Sequence, residues 1–201
     1  MKALFIHLIW TFALTMLGPA SAQSANNASG VFVTQIGSGN QATVSQDERA
    51  VSGFAKIEQT GKGNEGEGNV AALTQGGGEH WAQVTQSGTK NTTGLTQQGN
   101  FESRAIIRQT GQDNLIGFTQ TSEIASQFAT LTQIGEGNII SLSQEGIQNV
   151  AELTQTGDKN RMNLSQTGGG NVTWIQDGNG LAPVELAVGG AQVMILTQTK
   201  P

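Results

Sequence analysis

Primary amides are the side chains of this sequence whose spacing could do chemistry. Glutamine returns at Gln35, Gln46, Gln59, Gln75, Gln86, Gln97 and Gln109, then at Gln120, Gln133, Gln144, Gln155, Gln166, Gln176 and Gln198. The steps run from 10 to 16 residues, most of them 11, before a last step of 22. Five residues after eight of these glutamines stands an asparagine: Asn40, Asn64, Asn91, Asn114, Asn138, Asn149, Asn160 and Asn171. An amide offers two N–H donors and a carbonyl acceptor, but no proton to transfer and no nucleophile. Its chemistry is hydrogen bonding, and amides repeated at a fixed interval can donate and accept along a ladder.

Catalytic residue types are sparse by comparison. Beyond residue 22 there is one histidine, His80, there is no cysteine, and the acidic residues are scattered rather than paired. His80 lies five residues after Gln75, where other units carry asparagine, so it reads as a ladder substitute. The stretch "QGGGEH" lacks the Lys-Ser/Thr of a phosphate loop, and the turns hold too few aspartates for a calcium roll. No catalytic, cofactor or metal site is expected.

Something must hold the amides at that interval, and the residues around them name it. Two positions before each Gln is a large apolar residue in all fourteen cases, from Val33 to Leu196. Four before is Ala, Val, Ile or Met in thirteen, with Thr93 the exception. Between them and the Gln sits Thr or Ser in eleven. This apolar-x-apolar-x-Gln alternation is the period of a strand with one buried face. Two residues after the Gln comes glycine at Gly37, Gly61, Gly88, Gly111, Gly135, Gly146, Gly157 and Gly168, among others, which marks a tight turn.

One such strand cannot bury its own face, so the units must stack. Two 11-residue units make a 22-residue coil, and the pattern predicts an all-β parallel solenoid of about seven strand-turn-strand coils with two facing parallel sheets. "EGEG" before Asn69 reads as a five-residue insertion at a turn. A fifteenth strand is expected in the last long step, where Val184, Leu186 and Val188 alternate. Trp174 is expected in the core, and Phe54 and Phe101 off the ladder, in turn packing or between fibres.

Composition agrees. The 201 residues include 28 Gly, with 5% aromatic and 12% charged residues, so an aromatic-rich globular core is poorly supplied. The net charge of −5 argues against nucleic acid as a partner. Residues 1–22 read as a signal peptide: Lys2, an apolar run from Ala3 to Leu17, and Ala20-Ser21-Ala22 as a small-x-small cleavage site. Residues 23–30 form a short linker, 31–180 the solenoid and 181–201 a degenerate apolar repeat or cap. No later apolar run is long enough to span a membrane, so no transmembrane segment is expected after cleavage.

With these residues in place, Gln35-x-Gly37-x-Gly39-Asn40-x-Ala42-x-x-x-Gln46 resembles the curlin repeat of bacterial curli subunits, and looser copies run to Gln176. Gln133-x-Gly135-x-Gly137-Asn138 is a second close copy. The C-terminal "LAPVELAVGGAQVMILTQTKP" is richer in apolar residues than the repeats before it. The resemblance implies a secreted subunit of a cell-surface amyloid fibre that supports adhesion and biofilm matrix. Its partners would be itself, other curlin subunits, and a dedicated export pore with periplasmic and surface helpers. The other reading of the same residues is a monomeric solenoid that binds a repetitive ligand, polysaccharide or ice, on its outward Thr and Ser rows. Disordered low complexity is disfavoured, because disorder makes no demand on apolar phase. Lys62, Lys90, Asp113, Asp158 and Asp177 read as solvated turn residues, or as gatekeepers against early aggregation.

Overall fold

The computed structural model describes residues 11–15, 20–22, 30–47, 53–62 and 67–200. They form strands and turns with no helix among them. One parallel sheet contains β3 (Gly30–Ser38), β5 (Phe54–Lys62), β7 (His80–Thr89), β9 (Ser103–Gln112), β11 (Gln127–Glu136), β13 (Val150–Thr156), β15 (Asn171–Asp177) and β17 (Val193–Thr199). The facing sheet contains β4 (Gln41–Gln46), β6 (Val70–Gly77), β8 (Thr92–Gly99), β10 (Leu115–Thr121), β12 (Ile139–Glu145), β14 (Arg161–Thr167) and β16 (Val184–Gly189). Successive strands alternate between the sheets, so each pair is one coil of a β-solenoid of about seven turns. We call the first sheet the odd sheet and the second the even sheet.

Registry is what the side-chain pattern demands. Gln59 lies beside Gln35 and Gln86, and Leu131 beside Ile107 and Leu153, because a slip of one residue would turn the apolar set outward. Even across the step that carries the insertion, Gln46 and Gln75 stay side by side. The extra residues are accommodated at the turn.

Between the sheets the core is one residue deep from each side. Ile57, Ile107, Leu131, Leu153, Leu164 and Trp174 are fully buried, with Ala55, Ala82, Ala105, Ala129 and Ala151 beside them in the odd sheet. Burying each large side chain contributes about 1.5–3 kcal/mol. Trp174 takes the core position expected of it, and the fifteenth strand is present as β16. There Val188 occupies the place of a glutamine, beside Gln166.

Turns after odd-sheet strands carry a glycine directly over the glycine of the next layer. Gly111 has φ +118°, and a Cβ built on it would strike the carbonyl of Gly135. That close approach sets the layer spacing at the corner. Outside the repeats, β1 (Thr11–Thr15) runs antiparallel along β4, and β2 (Ala20–Ala22) antiparallel along β3. The rest of the proposed signal peptide and most of the linker lie outside the described residues.

Gly111→Ala combines backbone clash with positive φ and should lower unfolding stability by roughly 2 kcal/mol or more. Gly117→Ala, at an open strand position, should leave it unchanged or raise it by about 0.5 kcal/mol. Urea titration of freshly desalted monomer measures both.

Candidate functional site

The amides form continuous files through the interior. In the odd sheet Gln35 Nε2 donates to Gln59 Oε1 at 2.7 Å, Gln59 to Gln86 at 2.8 Å and Gln86 to Gln109 at 2.8 Å. Gln109 donates to Gln133 and Gln133 to Gln155 at 2.9 Å each, Gln155 to Gln176 at 2.7 Å and Gln176 to Gln198 at 2.6 Å. A second file in the even sheet links Gln46, Gln75, Gln97, Gln120, Gln144 and Gln166 in the same way, at 2.7–2.9 Å.

Most interior glutamines spend their second N–H across the core. Gln86 Nε2 donates to the carbonyl of Val70 at 3.0 Å, Gln133 to Leu115 at 3.1 Å and Gln166 to Val150 at 3.0 Å. In such a residue both donors and the acceptor are satisfied at near-zero exposure, and the two sheets are tied to each other. Thr93, the one polar residue in the apolar file, is absorbed by the same network: its Oγ1 donates to Gln109 Oε1 at 2.8 Å. All the ladder bonds point one way, each glutamine donating toward the C-terminal layer. The N-terminal end therefore presents acceptors and the C-terminal end donors. Gln35 Oε1 is buried with no partner among the described residues, while half-buried Gln198 Nε2 reaches only the Ala182 carbonyl at 3.5 Å.

Asparagines line one corner of the coil, the turn after each odd-sheet strand from β3 to β13. Asn91 Nδ2 donates to Asn69 Oδ1 at 2.9 Å and Asn114 Nδ2 to Asn91 Oδ1 at 3.0 Å. The backbone N–H of Asn138 and of Asn160 donates to the Oδ1 of the asparagine before it, at 3.1 and 3.0 Å. Asn69, Asn91, Asn114, Asn138 and Asn160 also hold the turn glycine of the next layer, as Asn114 Nδ2 does with the Gly135 carbonyl at 2.8 Å. Amide and glycine therefore act together: the glycine admits the close approach and the asparagine binds the carbonyl it exposes.

Three expected ladder asparagines are placed differently. Asn64 lies outside the described residues, and Asn69 stacks between Asn40 and Asn91 in its stead. Asn171 is exposed at the start of β15 and is no ladder member: the turn before it is one residue shorter, which carries it past the corner. Asn149 is buried, but at the opposite corner, where Nδ2 donates to the Glu145 carbonyl at 2.7 Å and Oδ1 accepts from Gly169 and Gly170. No asparagine among the described residues stacks on it. In the turns that follow even-sheet strands, the residues at this corner are His80, Ser103, Gln127, Asn149 and Gly170 in successive layers. Gly146 and Gly168 belong to this second corner, each beneath the next layer's glycine but in less severe approach: a Cβ on Gly146 would stand 3.2 Å from Gly168 N, whereas one on Gly111 would strike the Gly135 carbonyl.

A rule counted backward from the following strand recovers all of these: the corner residue stands six before that strand's glutamine, two before its first inward residue, as in Asn69-x-Ala71, His80-x-Ala82 and Gln127-x-Ala129. Counting forward from the glutamine misses Asn69, Ser103 and Gln127, because turn length varies and strand register does not.

His80 takes the part of an asparagine. Its Nε2 meets the Gly76 carbonyl, four residues back, at 3.0 Å, the bond Asn149 makes to Glu145. Burial pushes its pKa down from 6.5, only partly opposed by the Gly76 carbonyl and by Asp47. Its Nδ1 has no partner among the described residues, so a proton there would be buried unpaired. No group of three His, Asp or Glu side chains among the described residues could hold a metal.

Outside the core the two faces differ. On the odd sheet Phe54 stacks on Trp81 at 5.6 Å, Arg104 lies 4.5 Å over the Trp81 ring, and Lys56 pairs with Glu58 at 3.0 Å. Phe54 is thus part of an outward aromatic file, and Phe101 is exposed at a turn. On the even sheet the outward positions one, three and five residues before each glutamine carry no charge from Gln41 to Ser143. Lys90 pairs with Glu67 at 3.4 Å, and Asp158 accepts from the Glu136 N–H at 2.8 Å, so two of the turn charges fasten neighbouring layers.

A parallel β-solenoid with glutamine files in both sheets and an asparagine corner is a repeat-built structural scaffold. Residues 135–168 match the family model described as the curlin associated repeat. No curated protein and no solved structure matches the chain.

Gln133→Leu would leave Gln109 Nε2–H and Gln155 Oε1 buried and unpaired, and should destabilise the fold by about 2–4 kcal/mol in urea titration. For His80, the unfolded chain takes up a proton as pH falls through about 6.5 while the folded chain resists it. Stability is therefore full above that pH and declines below it. His80→Asn should flatten this decline between pH 7 and 5, measured as the thermal midpoint at each pH.

Proposed function

We propose that this protein is the structural, non-enzymatic subunit of a secreted, curli-like amyloid fibre, growing at the cell surface by coil-on-coil stacking and supporting adhesion and biofilm matrix. The observation that carries this reading is the mismatch of ends. Among the described residues, β16 and β17 at the C-terminal end each have a neighbour on one side only, leaving a row of backbone donors and acceptors. At the N-terminal end, among the described residues, the outer edges of β3 and β4 are occupied by β2 and β1, which lie within the proposed signal peptide. Cleavage after Ala22 would bare them.

Adding a second copy in the register of the coils would set Gln198 on Gln35, Leu196 on Val33 and Met194 on Val31. Donor would meet acceptor and apolar would meet apolar. In the even sheet Leu186 would meet Val44, and only Val188 on Gln46 would break the ladder. Such a contact is heterologous and does not close, so it propagates. Export pore, periplasmic helpers and other curlin subunits are the partners this reading calls for. The competing reading, a monomeric solenoid that binds a repetitive polysaccharide or ice, is less well served, since it needs ends that repel further strands.

Purified residues 23–201 should convert, with a lag abolished by seeds, into fibres giving a meridional reflection near 4.8 Å. Gln198→Glu removes the terminal donor while keeping an oxygen to accept from Gln176 and Trp174, and should slow seeded elongation about tenfold. Monomer that persists at high concentration with seeds present would overturn the fibre reading.

A further inference from the structure

Gly94 and Gly117 lie side by side in the middle of β8 and β10, facing outward from the even sheet. Neither has a positive φ, and a Cβ built on either would meet nothing within 4 Å. The turn glycines are required by backbone approach within the chain, whereas these two are not required by anything the chain itself does. A strand-interior glycine weakens its strand, and with no internal reason it marks a place where another backbone comes close. Ala72 precedes them in the file and Ser141 follows, so a shallow groove floored by small residues crosses four layers. Thr96 and Thr119 flank it on one side with hydroxyls, and on the other Leu115 is 42% exposed.

We propose that this groove is a lateral pairing surface, on which a second copy of this chain lays its own groove face to face, so that the fibre is two solenoids thick. Charge selects this occupant. Five layers of the even face bear no charge on the three outward files, whereas Lys56, Glu58, Arg104, Arg108 and Glu152 all project from the odd face. A chain of net charge −5 can meet itself on the even face with no like-charge penalty and keep its charged face in water. Small residues on both sides let the two sheets approach closer than the usual separation of about 10 Å, as dry zippered sheets do.

Area sets the condition for pairing. Five layers at about 4.8 Å, with strands about 20 Å long, offer roughly 500 Å² per copy. Twice that only reaches the threshold of about 1,000 Å² for a specific interface, so isolated chains pair weakly and stacked chains pair firmly. The proposal thus rests on the stacking reading above, and lateral pairing should follow elongation rather than precede it.

Mass per unit length by scanning transmission electron microscopy tests it. Wild-type fibres should weigh two chains per solenoid length. The double variant Gly94→Lys and Gly117→Lys should weigh one, with seeded elongation changed less than twofold and an unchanged β-sheet circular dichroism spectrum. Thr85→Lys, on the odd face, should still give two. Wild-type fibres one solenoid thick, or double-lysine fibres still two thick, would overturn the pairing. So would binding to insoluble cellulose that the double-lysine variant loses, with fibres one solenoid thick, since the groove would then belong to a polysaccharide. If no fibres form, sedimentation at high concentration separates the two ideas: a dimer dissolved by the double-lysine variant sinks the fibre reading alone, and a monomer sinks both.

Discussion

Every feature of this protein depends on one constraint: a buried amide is tolerable only if its donors and its acceptor are used. Placing the same amide at the same strand position in every layer meets that condition by repetition. Gln109 accepts from Gln86, donates to Gln133 and gives its remaining N–H to the Thr92 carbonyl of the opposite sheet. The narrow core takes one apolar layer from each sheet, with Phe118 and Trp174 as its aromatic members. Amides at its margins complete it, and they fix register more strictly than aliphatics could, because a slipped glutamine loses its partners on both sides.

The two corners of the coil then solve the same problem unequally. After odd-sheet strands, asparagine and glycine form a continuous file, Asn holding the carbonyl that the tight glycine turn presents. After even-sheet strands, His80 and Asn149 each bond the carbonyl four residues back, Gln127 the carbonyl six back, and Ser103 the hydroxyl of Ser122. One corner is therefore uniform and the other variable, and the only histidine of the repeats, held neutral by burial, falls on the variable one. The faces are divided similarly: aromatic and charged residues on the odd sheet, small hydroxyl-bearing and glycine positions on the first five layers of the even sheet.

Repetition that satisfies the interior also guarantees that the ends are unsatisfied. A ladder in which every glutamine donates in one direction has an acceptor end and a donor end, and no rotation makes those ends alike. Under the fibre reading proposed above, such ends favour polar, open-ended growth over closure into a small symmetric oligomer. Val188, standing where a glutamine would extend the even-sheet file, makes the C-terminal layer a weaker match than any interior layer.

Most of the architecture was legible from the sequence, because strand period and layer repeat are local properties. Apolar residues two before each glutamine fixed which face is buried. The glutamine interval fixed the number of coils, and the alternation of Val184, Leu186 and Val188 disclosed the strand that carries no glutamine. Turn contents were less legible. Asn64 and Asn171 sit at the right distance from a glutamine, yet Asn69 holds the ladder place, because turns absorb insertions while register is set by the strand that follows. That Gly94 and Gly117 are free of any internal demand, and that five layers of one face lie without charge, follows from no interval in the chain. Those properties belong to the way layers superpose, since only stacking brings residues more than twenty positions apart into one file and shows which neighbours each lacks.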